Sequence, residues 1–204
     1  MSGTGVTPPP QPPVGITGGI GAGGQSPHHQ QARSFFDQHL AQATHLFAAQ
    51  QQEYQQAAHA VINQLSDEGA RRLNQNLSGY RLFPDVEQLS AYAVSGYSRL
   101  PSILRAFFAI SGAYNRQTRE VEIDGGSRLG PFTFTTQNSY AHELGHALDG
   151  PRRDISSTPD WNAAWRAEIA PSSRFPNARR DPHEAWAWFA EQVYGTNGNK
   201  TALE

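Results

Sequence analysis

Residues 139–150 read Ser-Tyr-Ala-His-Glu-Leu-Gly-His-Ala-Leu-Asp-Gly, and this stretch constrains the fold more than any other. Ala141, Leu144, Ala147 and Leu148 recur at offsets of three and four, the pattern of a helix with a buried face. Ser139 is the expected N-cap, and Gly150-Pro151 the stop. His142 and His146 stand four residues apart, so one helical turn brings both imidazoles to the same side, where they can share a metal ion. Glu143, beside the first histidine, is placed to take a proton from a metal-activated water. Two histidines buried without a metal are hard to satisfy. Asp149 follows His146 by three residues and is expected to accept the second ring N–H of a ligating histidine.

Composition narrows the ligands. The 204 residues include no cysteine, which excludes a disulfide scaffold, an iron–sulfur site and a thiol nucleophile. Histidine and carboxylate are left as metal donors. A net charge of −2 gives no reason to expect nucleic acid or an anionic membrane as partner. No apolar run approaches the roughly 18 residues of a transmembrane helix, so no membrane insertion is expected. Residues 2–27 are Gly, Pro, Thr, Ser and Gln with scattered Val and Ile, too polar to offset their chain entropy by burial. They also lack the basic and apolar regions of a Sec-type signal peptide. The expected organisation is a disordered leader over 1–30, a single domain over 31–195 and a frayed tail over 196–204. Within the domain, 31–80 forms a helical N-terminal part and 85–195 the core that carries the motif.

From 32 to 65, Phe36, Leu40, Ala43, Phe47, Tyr54, Ala57 and Val61 follow one stripe, which predicts a single long helix rich in Gln and Ala. His39, His45 and His59 lie along it without an i,i+4 partner and read as solvated or capping residues. Shorter helices are predicted over 85–95 and 101–110. Alternation over 119–124 and 132–135, around Gly125-Gly126, predicts a hairpin directly before the histidine helix. Its edge either holds an extended peptide by strand addition or simply covers the helix. Thr158-Pro159-Asp160 opens a helix with Trp161, Trp165 and Ile169 on its apolar face. Asp181-Pro182-His183-Glu184 opens the last helix, with Glu184 in a capping box and Gly195 as the end.

A catalytic zinc takes three protein ligands and keeps one position open. No histidine lies between His146 and His183, so the third donor is sought among Glu168, Glu184 and Glu191, with His183 behind them. Glu168 falls opposite or oblique to the aromatic face of its helix. Glu184 begins a helix rich in tryptophan and alanine that must be largely buried, where a carboxylate needs a partner. It is the preferred ligand.

His-Glu-Leu-Gly-His-Ala-Leu-Asp at 142–149, followed by Pro-His-Glu-Ala-Trp-Ala at 182–187, resembles the lethal-factor-like zinc peptidases. That family includes the anthrax lethal factor catalytic domain and the clostridial Pro-Pro endopeptidases. The resemblance covers about residues 139–194. It implies an α+β class, a mainly helical zincin-like metallopeptidase domain with a small antiparallel sheet beside the HExxH helix. It also implies Zn2+ on His142, His146 and Glu184, with Glu143 as general base. Two departures stand out. Trp188 occupies the place of the family's second glutamate, and aligning on Phe189-Ala190-Glu191 instead would put Ala187 at the ligand position. The family's oxyanion-stabilising tyrosine is replaced by Asn177, which leaves Arg179, Arg180, His183 or Tyr194 for that role.

The resulting expectation is a zinc metalloendopeptidase acting on a protein or peptide substrate. With the leader, it extends to a bacterial toxin or effector secreted without a Sec-type signal peptide and delivered into host cells. Specificity is assigned to loops 152–158 and 171–180. The rival from another class is a metal-stabilised interaction module without catalysis, in which the Gln-rich helix binds a partner. A coordinating His183 would favour that rival.

Overall fold

The computed structural model describes residues 26–101, 104–105, 109–125, 128–129, 132–133, 135–172 and 178–195. The expected frayed tail and all but the end of the expected leader lie outside these residues. Helix α1 spans Pro27–Gln42 and so begins inside the span assigned to the leader. Ser26 caps it by accepting from His29 N, and Pro27 sits where no intrahelical N–H is needed.

The single long N-terminal helix is in fact two. Helix α1 stops at Ala43, and α2 spans Ala48–Ile62. No glycine or proline marks the break; tertiary and cap bonds make it. His45 Nε2 lies 2.8 Å from Leu82 O, and Phe47 N donates to the Gln50 side chain at 3.0 Å. Folding back lets Phe36 and Leu40 of α1 share a core with Tyr54 and Val61 of α2. Helix α3, Asp67–Asn76, follows with Ser66 as its cap.

The sheet also departs from expectation. Strands β1 (Gly79–Phe83), β2 (Gly112–Asn115) and β3 (Glu120–Asp124) form one sheet in the order β1-β3-β2. β1 runs parallel to β3 in register Gly79↔Glu120, whereas β2 runs antiparallel to it with Gly112↔Ile123. The sheet is therefore mixed. The strand expected over 119–124 exists as β3 but does not pair with 132–135. Instead β4 (Arg128–Leu129) and β5 (Phe132–Thr133) form a separate hairpin. Val121 and Ile123 are buried, and so are Glu122 and Asp124 on the opposite face. A strand covered on both faces belongs in a sheet interior, between two neighbours.

Helix α4, Val86–Ala93, falls within the expected 85–95 span, with Asp85 as its N-cap rather than in its first turn. The helix expected over 101–110 falls largely outside the described residues, with 104–105 helical. The motif helix, α5, spans Thr136–Asp149; its N-cap is Thr135, while Ser139 is buried inside it. Gly150, at φ 76, ends it as expected. Helix α6, Pro159–Ala164, is capped by Thr158 and continues as a π turn over Trp165–Ile169. Helix α7 spans Pro182–Tyr194 from the Asp181 cap to Gly195.

α5 is the centre of the molecule, packed by α2, α3, α7 and strands β2 and β3. Tyr140, Ala141, Leu144 and Ala147 are fully buried. The Tyr140 and Tyr80 hydroxyls meet at 2.8 Å inside this core. Asn76 Nδ2 donates to Ala147 O at 3.0 Å, taking up a carbonyl in the last turn of the helix. The fold is α+β, rich in helix with a small sheet. No described helix is long and apolar enough to cross a membrane.

Candidate metal centre

Two helices bring the candidate ligands together. His142 and His146 lie one turn apart on α5, with ring centroids 5.2 Å apart. Glu184, in the first turn of α7, faces them: its Oε2 is 3.6 Å from His142 Nε2 and its Oε1 3.6 Å from His146 Nε2. Donors on one tetrahedral ion, each about 2.0–2.1 Å from it, stand roughly 3.4 Å from one another. One donor atom from each of the three residues lies within 4.8 Å of the others, a group able to hold a metal ion. Two imidazoles and a carboxylate are also a donor set of catalytic zinc. The residues present fit the metal.

This approach depends on glycine. A Cβ on Gly145 would lie 2.8 Å from both Ala187 Cα and Ala190 Cβ, so α5 and α7 touch backbone to backbone there. Trp186 Nε1 donates across the same crossing to Gly145 O at 3.0 Å. The glycine of the motif and the alanines of α7 thus set the distance at which Glu184 meets the histidines.

Glu143 is 6% exposed and lines the same cleft as the histidines, against Gly112 of β2. A Cβ on Gly112 would lie 2.5 Å from Glu143 Cγ, so this position of the edge strand leaves room for the glutamate. Burial pushes the Glu143 carboxyl up to about 7. Burial disfavours protonated His142, but the Glu184 and Glu191 carboxylates outweigh it and hold its pKa at about 10. His146 is pushed down to about 4, first by burial and then by His142. A carboxylate-rich cluster of this kind favours a positive charge in its centre.

The remaining sequence candidates occupy different places. Glu191 is not with the ligand group: its Oε2 lies 3.3 Å from His142 Nδ1, the nitrogen that faces away from Glu184. Glu168 is exposed on the π turn. Asp149 does not hold a ligating histidine. Its oxygens accept from Ile155 N and Ser156 N, each at 2.8 Å, and from the Ser156 hydroxyl. His146 Nδ1 is buried without a hydrogen-bond partner among the described residues. His183 is not a fourth donor: its Nδ1 is paired with the Ser156 hydroxyl. Nor does Glu184 close a capping box; its carboxylate turns to the histidines while Asp181 accepts from His183 N at 2.7 Å. His39 and His59 are neither ligands nor free: Nδ1 of His39 meets Phe35 O, and Nε2 of His59 meets Asp37.

A cavity of about 450 Å³ opens over the group, lined by Gly112, Tyr114 and Arg116 on one side and by Arg153, Asp181 and His183 on the other. A second cavity of about 420 Å³ shares Gly112, His142, Glu143 and Glu184 with it, so a cleft runs past the site along β2. Of the four residues expected to replace the family tyrosine, His183 lines the first cavity. Arg179 and Arg180 are exposed, and Tyr194 packs against the core. Sequence reading missed Gly112, Tyr114 and Arg116 because β2 carries no alternating apolar pattern to announce it. No protein-family model matches the chain, and comparison with curated proteins and with solved structures gives no match either.

Proposed function

We propose that this chain is a zinc-dependent endopeptidase. One observation carries the reading: His142, His146 and Glu184 converge next to a buried Glu143 that touches the edge strand of a sheet. Zinc, when bound, supplies the Lewis acidity that polarises a peptide carbonyl and makes water acidic near neutral pH. Glu143 takes the proton of the attacking water and passes it to the leaving amine. Burial raises the pKa of the Glu143 carboxyl, the direction that lets it hold a proton long enough to return it to the leaving amine. β2 is an outer strand of the order β1-β3-β2, and its edge, unpaired among the described residues, pairs with the substrate backbone. Ser156 gives its hydroxyl proton to Asp149, so His183 donates Nδ1–H to Ser156 and its neutral Nε2 is an acceptor, which removes it as the donor for the oxygen that gains charge. Export and action in a host cell are proposed on the composition of residues 2–27 and the family resemblance.

The test is zinc per chain on wild type, Glu184→Ala and Glu143→Gln, with peptide cleavage on the same preparations. Wild type should hold one zinc and cut; Glu184→Ala should lose most of its zinc. Glu143→Gln should keep zinc and lose at least about a hundredfold in kcat. Cleavage by Glu143→Gln at the wild-type rate would sink the mechanism. Zinc retained without cleavage of any peptide by wild type would move the assignment to a metal-stabilised interaction module.

A further inference from the structure

The cleft ends in two arginines that the proposed chemistry does not use. Arg116 follows the last residue of β2, and Arg153 lies in the loop between α5 and α6. Both are half-buried and line the cavity that holds His142, Glu143, His146 and Glu184. Neither guanidinium forms a hydrogen bond or ion pair with another described residue. Burial, and then the charge of Arg153, lowers the pKa of Arg116, so the two cations repel each other in a partly desolvated place.

The carboxylates facing Arg116 are Asp149, Asp181 and Glu184, and each is engaged elsewhere. Asp149 is saturated by Ile155 and Ser156. Asp181 caps α7, and Glu184 faces the two histidines. The backbone adds an independent sign. Arg153 has φ 58, in the left-handed region where glycine is the easy choice. Arg119 shares that φ in the β2–β3 turn, but its guanidinium donates to Gln75 O at 3.4 Å. Arg153 is therefore a strained residue whose side chain has no hydrogen-bond or ion-pair partner among the described residues, beside a candidate active site.

We infer that Arg116 and Arg153 form a subsite for a carboxylate of the peptide substrate, beyond the Asn115 end of β2. The inference rests on the peptidase reading and names its substrate class. Two guanidinium groups match the planar, charge-assisted demands of one carboxylate. Gly112 touches Glu143, and Arg116 is four residues further on. At about 3.3 Å per strand residue, the carboxylate falls within about four residues of the attacked bond. An acidic side chain and a chain-terminal carboxylate offer the same chemistry.

Three fluorescent peptide pools of equal length separate these sources. One carries internal glutamates and an amidated C-terminus. A second has neutral side chains and a free C-terminal carboxylate, and a third has internal lysines with an amidated end. Binding to full-length Glu143→Gln is followed by anisotropy, and cleavage is followed with zinc-loaded wild type. One of the first two pools should bind about tenfold tighter than the lysine pool at low salt. Preference for the first assigns an acidic side chain, and preference for the second a terminal carboxylate. Arg116→Glu with Arg153→Glu, in the same background, should reverse the preference towards lysine, a gain that misfolding cannot produce. Equal binding of all three pools, or a preference untouched by charge reversal, overturns the subsite even if wild type cuts peptides. Selective binding without cleavage leaves the subsite standing and removes the peptidase reading.

Discussion

Each ring nitrogen of His142 has its own partner. Nε2 faces Glu184 and Nδ1 faces Glu191 at 3.3 Å. A carboxylate behind a ligating histidine fixes its tautomer and raises its basicity, and losing such a group typically lowers metal affinity about 10–100-fold. On the proposed zinc peptidase reading, Glu191→Ala should therefore weaken zinc by about that factor against a competing chelator, with activity returning at raised free zinc. Unchanged affinity would show that Glu191 has no hold on the ligand. The sequence made His142, Glu143 and His146 legible because their relation is local, one turn of one helix. Glu184 was legible only as a carboxylate on a buried helix, yet its side chain is about half exposed; what places it opposite the histidines is the crossing of α5 and α7, which local sequence does not show. Glu191 was visible as a carboxylate of the same helix, but spacing alone does not say which nitrogen it meets. Asp149 misled for a related reason: it lies on the right helix, but the loop at 155–156 claims its oxygens.

Although the Ser26 and Ser66 caps were missed and Ser139 was mistaken for one, four helix ends marked by a cap were read well. Thr158-Pro159, Asp181-Pro182, Asp85 and Gly150 all end or begin helices where expected. Elements set by distant partners were not. β1 pairs with a strand some forty residues away. β2 is four residues with no alternation, and the break between α1 and α2 depends on Leu82, a residue of β1. The crossing of α5 on α7 is likewise tertiary, and it yields a test. In Gly145→Ala the new Cβ meets Ala187 Cα at 2.8 Å, a backbone atom that cannot swing aside. Overpacking of this kind costs about 1–3 kcal/mol, and here α7 must back away, carrying Glu184 with it. Urea titration should show that loss together with weaker zinc binding. Gly69→Ala on α3 is the matched control. Its nearest contact is an ordinary 3.4 Å, and the helical alanine should stabilise by about 0.4–1 kcal/mol. Equal effects of the two substitutions would mean that the crossing is not tight.

At the scale of the whole molecule, the central strand carries a buried charge that the fold does not fully answer. Glu122 of β3 is 3% exposed, and its Oε1 has no hydrogen-bond partner among the described residues. Burial raises its pKa above the usual carboxylate value, Arg81 pulls it partly back, and Glu120 adds to the rise. A carboxyl whose folded pKa exceeds its unfolded one contributes stability below the unfolded value. It loses that contribution as pH rises through the folded value. Glu122→Gln removes the ionisation while keeping the shape. The variant should therefore match wild type near pH 4 and be more stable near pH 7.5, by about 1 kcal/mol, the lower end of what an unsatisfied buried polar group costs. Denaturation at both pH values, with chelator present so that zinc does not add its own linkage, reads this directly. An advantage of the same size at both pH values would mean that packing, not charge, separates the two proteins. A loss at pH 7.5 would mean that the ionised carboxylate is held by Arg81 more firmly than its burial opposes it.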